Sequence, residues 1–370
     1  MKKRDLTRIQ IGFKAKGVFY PRRKTEIVRH GSFIIGGDNP IALESMLKCR
    51  TTDVAGVRDQ LERLARAGCD LCRVAIQNMD DADALGDIVA ISPIPLMADI
   101  HFRADLAERA LALGLPVRLN PGNLSDRPAV EAIAQESQRQ NLPLRIGVNA
   151  GSLAQDVREK YSGHVTAEGM VGSLLELEET CRMAGCKQII ASLKATSLSL
   201  TLAANRMYAK STTTPLHIGM TEAGFGEMGI VHSSIGVGLL LAEGIGDTVR
   251  VSLTGDPVKE VEIGAMILNS LGMGRPMVRI ISCPTCGRLR MPVEEIARQV
   301  WDIAREWRQP ITIAVMGCEV NGPGEAREAD IGVAGTADGA ILFVKGEKIR
   351  RIKNHAIVEE ALKEAEKLLK

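Results

Sequence analysis

The sequence predicts an α/β fold in which a (β/α)8 TIM barrel is followed by a small α+β domain. Between positions 40 and 253 one unit repeats: a short apolar stretch ends in polar or charged residues, and a helical pattern follows it. From about position 277 onward this repeat is absent, and three cysteines occur close together. A length of 370 residues is long for one domain and fits a barrel with an appended unit.

The barrel prediction depends on eight short apolar stretches. The expected strands are Ile41–Ser45, Cys72–Ile76, Leu96–Ile100, Val117–Asn120, Leu144–Val148, Ile189–Leu193, Leu216–Met220 and Val249–Leu253. Apolar residues at helical periodicity lie between them, in Val57–Ala67, Ala104–Leu113, Val130–Gln140 and Met170–Ala184. A doubly wound open sheet is the alternative. No G-x-G-x-x-G motif follows the first strand, however, and eight strands favour closure.

Cationic residues occur at the ends of the predicted strands, which meet at one mouth of a barrel. They are Arg73, Arg118, Arg145, Lys194 and Arg250. Arginine matches phosphate oxygens in pairs, and several unpaired cations in a confined mouth repel one another, so we expect a multiply anionic, diphosphate-class substrate. The alternative is that some arginines pair with Glu44, Asp99 or Glu222 inside the barrel and have a structural role.

Other polar residues at the strand ends complete the expected substrate site. They are Asp99, His101, Asn120, Asn149, Thr221 and Ser252. Lys194 alone could form a Schiff base, as in barrel aldolases, but its arginine neighbours favour a phosphate contact. Glu222 lies among these cations and is the candidate proton donor. No metal is expected at His101 or His217, because single histidines are more often hydrogen-bonded core groups.

The second domain is predicted to bind a metal or an iron–sulfur cluster. Cys283 and Cys286 form a C-x-x-C pair, and Cys318 follows an apolar run that ends at Val315. Glu325, at the end of a Gly-rich loop, is the candidate for a weaker, oxygen-donating fourth ligand, and Asn321 in that loop is an expected substrate contact. Structural zinc, a redox dithiol or thiols without ligands remain alternatives.

The domain boundaries are expected at 1–21 for an N-terminal extension, 22–270 for the barrel and 277–370 for the second domain, with a flexible hinge at 272–276. The second domain should contain four strands and two helices. The strands are expected at Met277–Ser282, Ile311–Val315, Asp330–Val333 and Ala340–Val344, and the helices at Val293–Arg308 and Ile357–Leu369.

Composition excludes several classes of function. A net charge of +2 with 3% aromatic residues argues against a nucleic-acid partner. Eight scattered cysteines do not form a disulfide framework and favour a reducing compartment. No apolar run approaches membrane-spanning length, and the first twenty residues lack the apolar core of a signal peptide. We therefore expect a soluble cytoplasmic protein.

Several motifs follow one another in the order found in one known family. They are Arg22-Arg23-Lys24-Thr25, Ala98-Asp99-Ile100-His101-Phe102, Arg118-Leu119-Asn120-Pro121-Gly122-Asn123, Arg145-Ile146-Gly147-Val148-Asn149, Thr221-Glu222-Ala223-Gly224, Gly244-Ile245-Gly246-Asp247-Thr248, Arg250-Val251-Ser252-Leu253 and the two cysteine motifs. From about Arg22 to its end, the chain resembles the bacterial 4-hydroxy-3-methylbut-2-enyl diphosphate synthases. It departs from them at Glu44, where the family usually has Gln.

The resemblance implies a specific activity. It implies reductive opening of 2-C-methyl-D-erythritol 2,4-cyclodiphosphate, with loss of a hydroxyl as water and two electrons from flavodoxin or ferredoxin. It also implies a [4Fe–4S] cluster held by Cys283, Cys286, Cys318 and Glu325. A homodimer is implied as well, with the cluster domain of one protomer closing over the barrel of the other. The competing classes are an isomerase or aldolase of carbohydrate phosphates with a zinc module, and a non-catalytic iron–sulfur scaffold or sensor.

Overall fold

The computed structural model describes residues 20–369 except 31–32, 102, 121–125 and 308. Nearly all of the expected N-terminal extension, and Asn123, therefore lie outside the described residues. The chain divides into two compact units, which meet in sequence between Gly274 and Arg275. None of the described helices has both the length and the apolar composition that crossing a bilayer requires.

Eight parallel strands form the barrel of the first unit, and they coincide with the eight predicted stretches. They are β3 (Ala42–Met46), β4 (Leu71–Ile76), β5 (Leu96–Ile100), β6 (Val117–Leu119), β7 (Leu144–Asn149), β8 (Ile189–Lys194), β9 (His217–Ile218) and β10 (Thr248–Val249). Their order in the sheet is β8-β7-β6-β5-β4-β3-β10-β9, and a parallel bridge between Ala191 and Leu216 joins the two edges. The predicted closed barrel is thereby confirmed.

The last two barrel strands are shorter than predicted. The backbone N–H of Leu216 donates to the side-chain carboxylate of Asp247 at 2.8 Å rather than to a strand carbonyl. The strand β9 therefore begins at His217, one residue later than predicted. Beyond β9, an added Cβ at Gly219 would lie 2.3 Å from the carbonyl oxygen of Arg250. Glycine at position 219 therefore allows this segment to approach the segment that contains Arg250 closely, where regular strand pairing has ended.

An antiparallel hairpin of β1 (Val28–His30) and β2 (Phe33–Ile35) precedes the barrel. Its buried residues Val28 and Ile35 pack against Leu71, Met97 and Ile190, which lie at or near the first residues of three barrel strands. The hairpin thus covers the amino-terminal end of the barrel. The carboxyl-terminal ends of the strands remain available for a site.

Helices connect the strands, as the apolar periodicity predicts. They are α1 (Val54–Ala67), α2 (Met79–Ile91), α3 (Ala104–Ala112), α4 (Arg127–Arg139), α5 (Gln155–Lys160), α6 (Ala167–Met183), α7 (Leu198–Ser211), α8 (Gly226–Ala242) and α9 (Pro257–Ser270). In α1 the Asp53 side chain accepts the N–H of Gly56, and the helix ends at Gly68 with φ +91°. The first feature is typical of the beginning of a helix, and the second is typical of its end.

Over its described residues, the second unit is a five-stranded mixed sheet with three α-helices. Its elements are β11 (Arg279–Ser282), β12 (Thr312–Met316), β13 (Ile331–Thr336), β14 (Gly339–Val344), β15 (Glu347–Ile352), α10 (Val293–Ala304), α11 (Gly322–Arg327) and α12 (Ile357–Leu369). The strands β11, β12 and β13 run parallel, and β14 and β15 return antiparallel.

Two elements of this unit were not predicted, and several boundaries differ: β11 begins two residues later than predicted, and β13 ends at Thr336 rather than Val333. The strand β15 has a mostly exposed, charged sequence without apolar alternation, which an edge strand tolerates. The segment containing Gly322 and Pro323 was interpreted as a loop, but it forms the short helix α11 with Pro323 in its first turn, where proline is favourable. The helix α10 ends at Ala304, four residues before its predicted end.

Candidate active site

The carboxyl-terminal ends of the barrel strands surround a cavity of about 500 Å³, here called the mouth cavity. Charged and polar side chains from around the barrel line it. Among them are the predicted Arg73, Asp99, His101, Arg118, Arg145, Asn149, Lys194, Thr221, Glu222, Arg250 and Ser252. Asn120 is not among the lining residues: it is buried and donates to Ser152 Oγ at 2.7 Å. Asn321 belongs to the second unit, where it precedes α11.

Glu44 organises the floor of the mouth cavity. Its two carboxylate oxygens accept hydrogen bonds from both terminal nitrogens of Arg145, at 2.7 and 2.5 Å, and one of them lies 3.2 Å from Arg73 Nε. Glu44 and Arg145 are at most 1% exposed. Burial raises the pKa of Glu44, but the positive charges of Arg145 and Arg73 outweigh burial and hold that pKa below its usual value. Glu44 is therefore an ionised carboxylate inside the barrel.

Asp99 is a second buried carboxylate that pairs with arginines of the mouth cavity. Its oxygens lie 3.0 Å from Arg118 Nη1, 3.6 Å from Arg73 Nη1 and 3.6 Å from His101 Nε2. Burial raises its pKa, but Arg73, together with His101 and Arg118, holds the pKa far below the usual value. The alternative that arginines pair with Glu44 and Asp99 is thus correct for individual contacts. It does not hold for Glu222, whose carboxylate accepts a hydrogen bond from Thr196 Oγ1 at 3.1 Å.

A third carboxylate, Glu260 on α9, was not identified from the sequence. It lies 2.9 Å from Lys48 Nζ and 3.4 Å from Arg250 Nε, and it accepts a hydrogen bond from Ser45 Oγ at 3.1 Å. Lys48, which also lines the mouth cavity, was missed as well. Its place two residues after the end of β3 was a signal for it. No sequence pattern indicates which residue of a surrounding helix points back under the mouth.

These pairs leave the mouth cavity with a surplus of positive charge. Six basic side chains line it, whereas three buried carboxylates are paired with members of this set; the basic residues are Lys48, Arg73, Arg118, Arg145, Lys194 and Arg250. Among the residues that the structure describes, the buried Nε of Arg145 has no hydrogen-bond partner, whereas Arg73 Nε lies 3.2 Å from Glu44 and Arg250 Nε lies 3.4 Å from Glu260. A ligand with several anionic oxygens would balance this surplus charge.

Glu222 lies at the rim of the same cavity. It is exposed, follows β9 and has a φ of +49°, in the left-handed region that a residue with a side chain seldom adopts. Backbone strain of this kind is concentrated at functional sites. Glu222 is thus accessible both from solvent and from the mouth cavity.

The three thiols predicted as ligands lie in loops that follow neighbouring parallel strands of the second unit. The N–H of Cys283 donates to the carbonyl of Val315 at 3.3 Å, which continues the pairing of β11 and β12 to this end of the sheet. The N–H of Arg290 donates to the carbonyl of Gly317 at 2.8 Å, so the C-x-x-C loop folds back onto the loop that contains Cys318. The fold therefore places both cysteine motifs at the same end of the sheet.

Hydrogen-bond donors point at these sulfur atoms. The Sγ of Cys283 accepts the N–H of Gly317 at 3.2 Å. The backbone N–H and the guanidinium of Arg288 lower the pKa of Cys286, and the backbone N–H groups of Val320 and Asn321 lower that of Cys318. A Cβ added at Gly317 would lie 3.2 Å from Cys283 Sγ, so glycine keeps this space open. Glu325 is exposed on α11.

Over the described part of the chain, no group of three or more His, Cys, Asp or Glu side chains is arranged to hold a metal ion. The ligand set Cys283, Cys286, Cys318 and Glu325 thus remains a prediction. All eight cysteines are free thiols. Cys69, Cys72, Cys181 and Cys186 are buried, and burial raises the pKa of each thiol.

Together these features define a TIM-barrel protein with a cation-rich mouth and an appended α+β domain that carries thiols. A family model described as GcpE TIM-barrel domain matches residues 25–265, and one described as GcpE protein C-terminal domain matches residues 279–367. The chain therefore belongs to the GcpE family, as the motif resemblance indicated.

Relatives similar to this chain bear the name 4-hydroxy-3-methylbut-2-en-1-yl diphosphate synthase (flavodoxin). The protein of Persephonella marina is 44% identical over 348 residues, which are 94% of this chain and 99% of that protein. The protein of Geobacter sulfurreducens is 45% identical over 349 residues, with the same two shares. That of Aquifex aeolicus is 44% identical over 350 residues, 94% of this chain and 98% of its own length.

Proposed function

We propose that the protein converts 2-C-methyl-D-erythritol 2,4-cyclodiphosphate to 4-hydroxy-3-methylbut-2-enyl diphosphate by reductive ring opening and dehydration. The names of the relatives support this reaction and flavodoxin as the electron donor. In the structure, one observation supports it above all: six basic side chains line one cavity, and only three buried carboxylates pair with them. A cyclic diphosphate offers several anionic oxygens in a volume that the cavity can contain.

The arginines have separate tasks in this proposal. Arg145 is fixed from below by Glu44, and Arg118 is fixed by Asp99, so each guanidinium is oriented before the substrate arrives. A donor held in place loses little conformational entropy on binding. The other polar residues of the mouth contribute hydrogen bonds to the substrate; they are His101, Asn149, Thr221 and Ser252. Asn120 then acts indirectly: it donates to Ser152 Oγ, which in turn donates to the carbonyl of the lining residue Asn149 at 3.4 Å.

We assign the cofactor site to Cys283, Cys286, Cys318 and Glu325. The residues fit an iron–sulfur cluster because the N–H of Gly317 donates to Cys283 Sγ and nearby N–H groups lower the pKa of Cys286 and Cys318; hydrogen bonds to sulfur tune cluster potentials. Thiolate is the ligand form, and the lowered pKa values of Cys286 and Cys318 favour it. A [4Fe–4S] cluster there would supply electrons singly to the reaction. Zinc is the alternative metal of this site. Metal analysis of the purified protein distinguishes the two, because a cluster requires iron.

Glu222 is our candidate for the proton donor. In this reaction a C–O bond to a ring phosphate breaks and a hydroxyl group leaves as water, so an oxygen atom must gain a proton. Glu222 lies on the cavity rim, where it reaches both solvent and the substrate site. Its hydrogen bond from Thr196 orients the carboxyl group.

The assembly and the location of the protein are also proposals. We propose a homodimer and a cytoplasmic location, where free thiols persist and a reduced flavodoxin or ferredoxin is available. We place the barrel domain at residues 22–270 and the cluster domain at 277–370. Light scattering of the purified protein during gel filtration would give a mass near 80 kDa, twice the chain mass of 39.9 kDa, if the dimer forms.

The activity can be tested with protein purified under anaerobic conditions. Reduced flavodoxin and the cyclodiphosphate are added, and ³¹P NMR follows conversion of the two ring phosphorus signals into those of a linear diphosphate. Protein without flavodoxin and the Cys318→Ser variant serve as controls. A colourless protein with stoichiometric zinc, or an iron-loaded protein that leaves the ring intact, would contradict the proposal.

A further inference from the structure

Lys194 and His217 form a pair of basic side chains at the base of the mouth cavity. The Nζ of Lys194 lies 2.7 Å from Nε2 of His217, and Nδ1 of His217 lies 3.4 Å from Thr248 Oγ1. The two residues are 5% and 1% exposed. At 2.7 Å a single hydrogen lies between the two nitrogens, so one group donates and the other accepts. The two groups cannot both be cations.

The charged groups around this pair are mostly positive. Arg73 on β4, Arg145 on β7 and Arg250 after β10 all act on Lys194, and Glu44 on β3 is the carboxylate that opposes them. Glu44 is already shared: it binds Arg145 with both oxygens and lies 3.5 Å from His217 Nε2. Burial first, and then these arginines, lower the pKa of Lys194 far below its usual value. Burial and Lys194 do the same for His217.

The remaining carboxylates of the site are engaged elsewhere. Asp99 pairs with Arg118, Glu260 pairs with Lys48, and Glu222 accepts a hydrogen bond from Thr196. Among the described residues, Lys194 therefore has no carboxylate of its own within ion-pair distance. An ammonium group would gain its counter-charge only from a ligand in the cavity.

We propose that the Lys194–His217 pair couples anion binding to proton uptake: Lys194 is an uncharged amine in the empty cavity and becomes an ammonium ion when a diphosphate-class anion enters. The proton comes from solvent, and no bond of the ligand changes. His217 is the positioning residue. With its Nδ1 hydrogen toward Thr248, its Nε2 accepts one hydrogen of the ammonium group and leaves two for anionic oxygens.

The sign of the pH dependence follows from this scheme. Proton uptake is greatest where the pH lies above the pKa of Lys194 in the empty site and below its pKa beside the anion. At lower pH the amine is already protonated, so uptake declines and the anion binds more tightly. This inference depends on the proposed function only in the choice of a cyclic diphosphate as the natural ligand.

Proton uptake can be measured directly in the full-length protein. Neutral sodium sulfate, a dianion that does not titrate near neutrality, is added to weakly buffered protein at pH 8 with a pH indicator, and sodium chloride of equal ionic strength is the control. The cyclodiphosphate without a reductant is the second probe, since each of its phosphates is a diester-like monoanion. We expect uptake approaching about one proton per chain with either probe.

Variants identify the group that takes up the proton. Lys194→Arg keeps a cation that cannot titrate, so it should bind sulfate with uptake reduced to less than about a fifth. Lys48→Arg is the matched control, because Lys48 has Glu260 as a permanent partner and should not contribute to uptake. Wild-type uptake in Lys194→Arg, or no uptake in the wild type on sulfate binding, would overturn the coupling. Uptake with sulfate but no binding of the cyclodiphosphate would instead refute the substrate assignment alone.

Discussion

Glu44 and Arg145 allow the energetics of the mouth to be tested without turnover. Removing one partner of a buried, hydrogen-bonded ion pair costs about 3–5 kcal/mol, because a charge is left buried without compensation. Arg145→Met leaves Glu44 with Arg73 at 3.2 Å, so we expect a destabilisation near the lower limit, about 3 kcal/mol. Glu44→Gln retains one acceptor oxygen for the two donors of Arg145, and we expect about 2–4 kcal/mol.

The double variant supplies the decisive comparison. With both charges removed, the cost should be well below the sum of the two single costs, with a coupling of about 2 kcal/mol. Urea unfolding followed by far-UV circular dichroism measures these values. For a slope of about 3 kcal/mol per M urea, each single variant shifts the midpoint by about 1 M.

The positions of the tryptophans provide an internal control. Trp301 and Trp307 both belong to the second unit, so the transition in tryptophan fluorescence reports on that unit. It should not move in Glu44→Gln or Arg145→Met. Additive costs in the double variant, or an unchanged midpoint in both single variants, would show that the pair does not stabilise the barrel. An equal shift of the fluorescence transition would show that the perturbation is not confined to the barrel.

Four further results are expected. The barrel should lose stability below about pH 4.5. The folded pKa values of Glu44 and Asp99 lie below their unfolded values of 4.5 and 3.8, so both groups stabilise the fold only while they are ionised. Acid unfolding followed by circular dichroism checks this, and stability should depend less on pH in Glu44→Gln. Cys318→Ser should abolish iron retention and leave the barrel transition intact. Arg118→Lys should raise KM about tenfold or more, since an ammonium group lacks the guanidinium fork, and unchanged kinetics would make Arg118 purely structural. Glu325→Cys should retain iron, measured by iron content and EPR, but lose turnover; wild-type activity would contradict the role of Glu325 as a labile ligand.

The sequence alone was sufficient for the barrel and for most residues of its mouth. Parallel strands buried on both faces are continuous apolar runs, and their carboxyl ends converge in any closed barrel, so position along the chain predicts position in space. The secondary-structure prediction failed where the local sequence is not typical of the element that the tertiary environment produces. The strand β15 is charged because it is an edge, and α11 begins at Gly322 and Pro323, residues more typical of loops.

The pairing inside the mouth could not be derived from the pattern. Glu44 and Arg145 are 101 residues apart, and only the circular order of the strands determines that they meet across the floor. Glu260 enters from α9, and its reach toward Lys48 and Arg250 depends on how that helix is rotated against the barrel. The end of a barrel strand predicts that its polar side chains point into the mouth. No comparable pattern predicts which single residue of an amphipathic helix reaches the mouth.

The carboxylates of the mouth resolve an apparent conflict between two interpretations of its arginines. Paired arginines were expected to be structural and unpaired ones functional, yet Arg145 is bonded to Glu44 through both terminal nitrogens while its buried Nε has no described partner. The same guanidinium is thus anchored by Glu44 and also lines the mouth cavity. Anchoring fixes orientation and reduces repulsion between neighbouring cations, and the surplus of cations over carboxylates preserves the attraction for an anion. An arginine in this mouth is therefore structural and ligand-binding at once, and its substitution should change both the stability of the barrel and the affinity for the substrate.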